Sequence, residues 1–291
     1  MKFLFIHGAN PHPTEDKLFQ AWKEWLEKGA SRSLPSGKIS VLRYSDLHFK
    51  GSGQLTRYKE SDFENWPINP AVRKSRGLRN NTKSKAKNKK SFFDLIEEFS
   101  KQVKFGAEDA LSKQVFPQFD DYLNNANPPN SESNDGMRDI VSRRFRERYN
   151  DLAVEADEKL IVIGHSLGAI IGLDQIRSMG QAHHGIHLIT IGSPQGQQFI
   201  QDQMKHLPFG RKVPNIVTSW QNVADLDDAI VGEKLVRQYY TRLEGSPKVF
   251  AVDYCVINKS RRGNAPFKNH DAQAYLRQPI MARILDEIEA S

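Results

Sequence analysis

The sequence predicts an α/β fold: a mostly parallel, doubly wound sheet of about six strands carrying a helical cap insertion. Three observations predict it. Short apolar runs alternate with segments of helical periodicity toward both ends of the chain, the pattern of strands buried on both faces. The alternation stops after residue 44 and resumes near 157, so 1–44 and 157–291 form a core and 45–156 an insertion. The apolar run 160–163 leads directly into a glycine-flanked serine and then a helix, a tight strand-to-helix turn.

In chain order, Lys2 to Ile6 is a buried strand. Residues 14–28 space Leu18, Phe19, Trp22, Trp25 and Leu26 as a helical stripe that stops near Gly29. Lys38 to Arg43 is a second strand. Residues 45–90 are polar, with Gly51, Gly53, Pro67 and Pro70. Helical periodicity returns over 91–125, and Pro117 should kink or split it. A loop follows at 124–136, then an arginine-rich helix over 137–156, with Arg143, Arg144, Arg146 and Arg148 read as a solvated face. Beyond it come strand 159–164, helix 167–179, strand 186–191, helix 195–206, strands 215–220 and 248–256, and a closing helix from about 270. The insertion then sits at the carboxyl ends of the strands, where such sheets place their ligand site.

Composition narrows the function. Hydrophobic residues are 38% and charged residues 26% of the 291, and no apolar run reaches the roughly 20 residues of a membrane span. The first apolar stretch is too short for a signal-peptide core. The single cysteine, Cys255, allows no intrachain disulfide, and a reducing, cytoplasmic setting is expected. The net charge of +7 is concentrated in 73–90, which holds nine basic and no acidic residues. That segment reads as a flexible solvated loop. An anionic surface is its expected alternative contact. Without an aromatic residue to stack on a base, nucleic acid is a poor fit.

Gly164-His165-Ser166-Leu167-Gly168 carries the chemistry. The bare pattern is common by chance. Between an apolar strand and a helix it acquires a physical meaning: the turn forces Ser166 into a strained conformation that exposes its Oγ, and the glycines let neighbouring backbone pass. Here the chain resembles the α/β-hydrolase family of lipases and esterases, over residues 1–43 and 159–291. The resemblance implies a triad in the order nucleophile, acid, histidine. A serine hydroxyl needs a base, and the base needs a carboxylate to fix its tautomer. Asp225, after the strand 215–220, looks like the family's acid, with Asp227 as its rival and Asp228 third. His270, at a loop-to-helix junction and C-terminal to every other histidine, looks like the base.

The resemblance also implies an oxyanion hole of two backbone N–H donors, each worth about 3 kcal/mol. One is the amide of Leu167. The other is expected from the loop after His7-Gly8, at Ala9, with Asn10 next. The chain lacks the HGGG run of many lipases, and with its first strand carrying His7-Gly8 a reduced six-strand sheet without the family's antiparallel edge is expected. Gly192-Ser193-Pro194 reads as a turn in the pocket wall, and Asp46 and His48 as an exposed loop. His183, His184 and His187 lack a matching carboxylate, so no metal site is expected, nor any cofactor. The expected activity is a serine hydrolase cleaving a small-molecule or lipid carboxylic ester through an acyl-enzyme. A thioesterase, an amidase or an acyltransferase could use the same triad, and a non-catalytic scaffold is the reading from another class.

Overall fold

The structure, a computed structural model, describes residues 1–9, 12–49, 117–179, 185–204, 210–226, 228, 230–242, 251–258 and 268–291. The basic segment 73–90 and the cap helix expected over 91–116 lie outside the described residues, as do Asn10, His183, His184 and Asp227.

Among the described residues the strands are β1 (Lys2–Ile6), β2 (Ile39–Leu42), β3 (Leu160–His165), β4 (Ile186–Ile191), β5 (Lys212–Val213), β6 (Val217–Asp225), β7 (Thr241–Arg242) and β8 (Ala251–Val256). Six of them form one parallel sheet in the order β2-β1-β3-β4-β6-β8, while β5 and β7 form a separate parallel pair. The helices are α1 (Glu15–Ala30), α2 (Met137–Leu152), α3 (Leu167–Ser178), α4 (Gln198–Met204), α5 (Ala272–Leu276) and α6 (Ile280–Glu289).

Strand side chains alternate between two cores. Phe3, Phe5, Ile161, Ile163, Ile189 and Ile191 face α1, α5 and α6. Leu4, Ile6, Leu160, Val162, Ile186 and Leu188 face α2 and α3. Burial on both faces explains why these strands read as unbroken apolar runs. α1 is held by its stripe of Leu18, Trp22, Trp25 and Leu26, with Glu15 and Asp16 in its first turn and Lys28 in its last, as the helix dipole favours.

From β1 the chain passes outward to β2, returns across β1 to β3, and then builds in the opposite direction through β4, β6 and β8. The direction therefore switches between β1 and β3, and at such a switch point the carboxyl ends of the strands are where sheets of this kind place a ligand crevice. The turns after these two strands hold His7-Gly8-Ala9 and Ser166.

The described part of the expected insertion does not stand apart from the core. Phe119, Tyr122 and Leu123 from the helical residues 117–124, with Met137, Ile140, Val141 and Phe145 from α2, share one hydrophobic cluster with β1, β3 and α3. α2 is a layer helix of the sheet, packed on β2 and β1. Polar ties fix the same region. Arg144 spans both Asp46 oxygens at 2.8 Å and donates to the Arg43 carbonyl, while His48 Nε2 meets Asp121 Oδ2 at 2.8 Å. Arg148 bonds Glu15 at the start of α1. Asp46 and His48 thus seat this segment on the edge of β2, and two of the four arginines read as solvated grip the core.

β6 runs five residues past its expected end. Gln221 and Asn222 are polar and read as loop, yet they lie in the sheet. Asn222 Oδ1 accepts from Thr190 Oγ1 at 2.9 Å on one neighbouring strand, and Asn222 Nδ2 donates to Asp253 Oδ1 at 2.9 Å on the other. This buried polar ladder satisfies side chains that would otherwise end the strand. It carries β6 through to Asp225, in register with Val256.

Candidate functional site

β3 delivers Ser166 at the start of α3 with φ 54° and ψ −122°, a conformation that L-residues avoid. Such strain costs about 1–3 kcal/mol and persists only where the surroundings impose it. Here they do. Ser166 N donates to Ile191 O at 3.1 Å and Ala169 N to Ser166 O at 3.0 Å. A Cβ on Gly168 would lie 2.2 Å from Ile6 O and 2.4 Å from His7 O, so only a glycine lets α3 start this close to β1. Leu167 is the first residue of α3, and first-turn amides have no intrahelical partner.

The loop after β1 lies against this turn. A Cβ on Gly8 would fall 3.0 Å from Ser166 Cβ and 2.8 Å from His165 Nδ1. The Gly8 carbonyl is gripped by two rings, His7 Nδ1 at 2.6 Å and His12 Nε2 at 3.2 Å. His7 Nε2 accepts from Tyr44 N at 3.1 Å, which leaves the Nδ1–H tautomer to donate to Gly8 O. The Gly8–Ala9 peptide is trans, so the Ala9 N–H points away from the side on which the carbonyl is held. Burial holds His7 and His165 well below the usual histidine range, and pushes His12 down to about 4. These three rings are neutral scaffolding at pH 7.

His270 closes the site from the loop that precedes α5. Its ring is 4.8 Å from that of His165, whose Nε2 donates to the His270 carbonyl at 2.6 Å. A Cβ on Gly192, the residue after β4, would lie 3.3 Å from the His270 ring. Because Ser166 N bonds the adjacent Ile191, the serine turn and the histidine converge on the carboxyl end of β4.

The carboxylate bonded to His270 belongs to Asp228. His270 Nδ1 and Asp228 Oδ2 are 2.7 Å apart. The sequence placed Asp225 in this position, and the extension of β6 explains the difference: Asp225 is the last residue of a strand, while Asp228 stands three residues further on in the loop. Asp225 Oδ2 accepts the Asn258 N–H, and Asn258 Nδ2 donates to Asn269 O at 2.8 Å. Asp225 therefore anchors the segment that carries His270.

Asp228 is almost fully buried. Burial alone would raise its carboxyl. The His270 charge and hydrogen bonds from His270, Tyr275 and the Ile230 amide outweigh that and hold it below the ordinary value. A depressed carboxyl contributes stability above the unfolded-state value near 4, and that contribution is lost as pH falls through the folded-state value. The stability gap between wild type and Asp228→Asn, measured by urea midpoints, should therefore be widest near neutral pH and narrow below about pH 4. A gap that stays constant with pH would show that Asp228 is not held ionised by these partners.

Three contributors to this geometry escaped the sequence: His12 on Gly8 O, the His165 ring on the His270 backbone, and Tyr275, whose hydroxyl meets Asp228. The last two are contacts between distant segments, while the first closes the loop after β1 on itself over four residues; only the glycine-flanked position of His165 hinted at one. His187 bonds Ser219 Oγ at 2.8 Å inside the sheet. Among the described residues no group of three His, Cys, Asp or Glu side chains is arranged to hold a metal ion, and no helix is long and apolar enough to cross a membrane. Set against known proteins, the chain matches no family model and no curated protein.

Proposed function

We propose that the chain is a serine hydrolase of the α/β-hydrolase type that cleaves a carboxylic ester through an acyl-enzyme. One observation carries this reading: a serine held at φ 54° between strand and helix, near the carboxyl end of β4, beside which lies a histidine bonded to a buried carboxylate from another loop. Strain of this kind is retained where it aims a reactive group.

In the proposed reaction Ser166 Oγ attacks the ester carbonyl carbon and passes its proton to Nε2 of His270. The Asp228 carboxylate holds the Nδ1–H tautomer and stabilises the imidazolium that forms. The carbonyl oxygen becomes an oxyanion between the amides of Leu167 and Ala9, the second aimed by the His7 and His12 grip on Gly8 O. Collapse expels the alcohol, which takes the proton from Nε2. Water, deprotonated by His270, then releases the acid and restores Ser166. No cofactor enters. The substrate is a small-molecule or lipid ester, and thioester, amide or acyl-transfer chemistry would use the same groups.

A series of acyl esters of increasing chain length, assayed on wild type and Ser166→Ala, tests this. The variant should lose activity by about 10⁵-fold or more on every ester that the wild type turns over. Equal hydrolysis by both proteins would end the assignment.

A further inference from the structure

Tyr275 is buried in α5, five residues after His270, with its ring below Gly192, where a Cβ would come within 2.9 Å of Tyr275 Cε2. Its hydroxyl donates to Asp228 Oδ2 at 2.7 Å, the same oxygen that meets His270 Nδ1 at 2.7 Å. The hydroxyl oxygen in turn accepts the Asp225 N–H at 3.0 Å. The other Asp228 oxygen accepts the Ile230 N–H at 2.9 Å. The three contacts to the carboxylate have charge-assisted geometry, and the amide contact to the phenol oxygen has ordinary hydrogen-bond length. Burial, followed by the neighbouring Asp228 charge, raises the phenol well above its usual range, so the hydroxyl keeps its proton and donates it.

We propose that Tyr275 is a positioning residue for the acid–base pair: its hydroxyl locks the Asp228 carboxylate so that Oδ2 faces His270, and it draws off part of the negative charge on that oxygen. The inference rests on the proposed hydrolase reading for its kinetic consequences, but the bond itself is independent of any substrate. The Asp225 amide completes the device, because it fixes the phenol oxygen at the end of β6. One short segment, His270 to Tyr275, thereby carries the base and the clamp on the base's partner. The charged and titratable groups around the pair are His165, packed beside the His270 ring, Asp225 at the end of β6, and Lys234, whose Nζ donates to the Asp228 carbonyl at 2.7 Å.

Tyr275→Phe keeps the ring and removes the donor. A carboxylate short of one donor holds the imidazolium more tightly, so the acid limb of the kcat/KM profile should move to higher pH. kcat should fall about tenfold with KM unchanged, the signature of an interaction needed in the transition state. The low-field proton resonance of His270 Nδ1–H should also shift, and this readout needs no turnover. Site-specific 3-fluorotyrosine at 275 preserves the fold and donates more strongly, so it should move the acid limb and the resonance in the opposite direction. Unchanged limb, kcat and resonance in both variants would overturn the role of Tyr275. Loss of wild-type ester hydrolysis altogether, with the resonance still responding, would instead overturn the hydrolase reading and leave the clamp standing.

Discussion

Replacing Asp228 by asparagine should lower kcat/KM by about 10⁴-fold, because the amide no longer holds the Nδ1–H tautomer and no longer offsets the imidazolium charge. The change is nearly isosteric, and Asp228 Oδ1 can still accept from the Ile230 amide. Asp225→Asn is the matched comparison. That side chain binds the Asn258 amide rather than leading the His270 pair, so its loss should loosen the base loop and cost no more than about tenfold. Steady-state kinetics on both variants decide between the two carboxylates. A larger loss from Asp225→Asn than from Asp228→Asn would reverse the assignment drawn from the geometry.

The second large effect is structural. Gly168→Ala should destabilise the protein by about 3 kcal/mol or more, since the new methyl would lie 2.2 Å from the Ile6 carbonyl and 2.4 Å from that of His7. Both neighbours are backbone of the central strand β1 and its exit loop, which cannot yield without moving the sheet. Such a loss lowers the melting temperature of a domain this large by roughly 6–10 °C. Activity should fall as well, because α3 would be pushed away from the turn that holds Ser166. A melting temperature within about 1 °C of wild type would contradict the close approach of α3 and β1.

These two positions mark how far the sequence could be read. Gly168 stood in a motif whose spacing already implied a tight turn, and the turn is there with Ser166 at positive φ. The six strands were legible because both faces of the sheet are buried, so Leu160 to Ile163 and Ile186 to Ile191 read as apolar runs. The place of His270 ahead of the closing helices was legible from chain order. The carboxylate it bonds was not. Its choice depended on where β6 ends, and Gln221 and Asn222 look like loop until Thr190 and Asp253 on the adjacent strands supply their hydrogen bonds. A three-residue error in the strand end exchanges one aspartate for another. Tyr275 was illegible for a related reason: it acts through one polar atom on Asp228, a partner brought close only by the fold, and nothing in local periodicity marks such a residue. His12 closes the loop after β1 onto Gly8, four residues away, through a loop conformation that no periodicity marks. The helix Met137–Leu152 fell within the stretch where the strand–helix alternation stops and so was read with the cap, yet Met137, Ile140, Val141 and Phe145 are buried against the sheet while Arg144 and Arg148 reach back to Asp46 and Glu15.

In the proposed mechanism Ser166 is made nucleophilic by the His270–Asp228 pair. Mapping a fluorophosphonate adduct by peptide mass spectrometry tests it most directly, because that reagent reports an activated hydroxyl whatever the natural ester. One phosphonyl group is expected, on Ser166, in the wild type and essentially none in His270→Ala. An unmodified Ser166 in the wild type, or an adduct there that forms equally fast without His270, would contradict it.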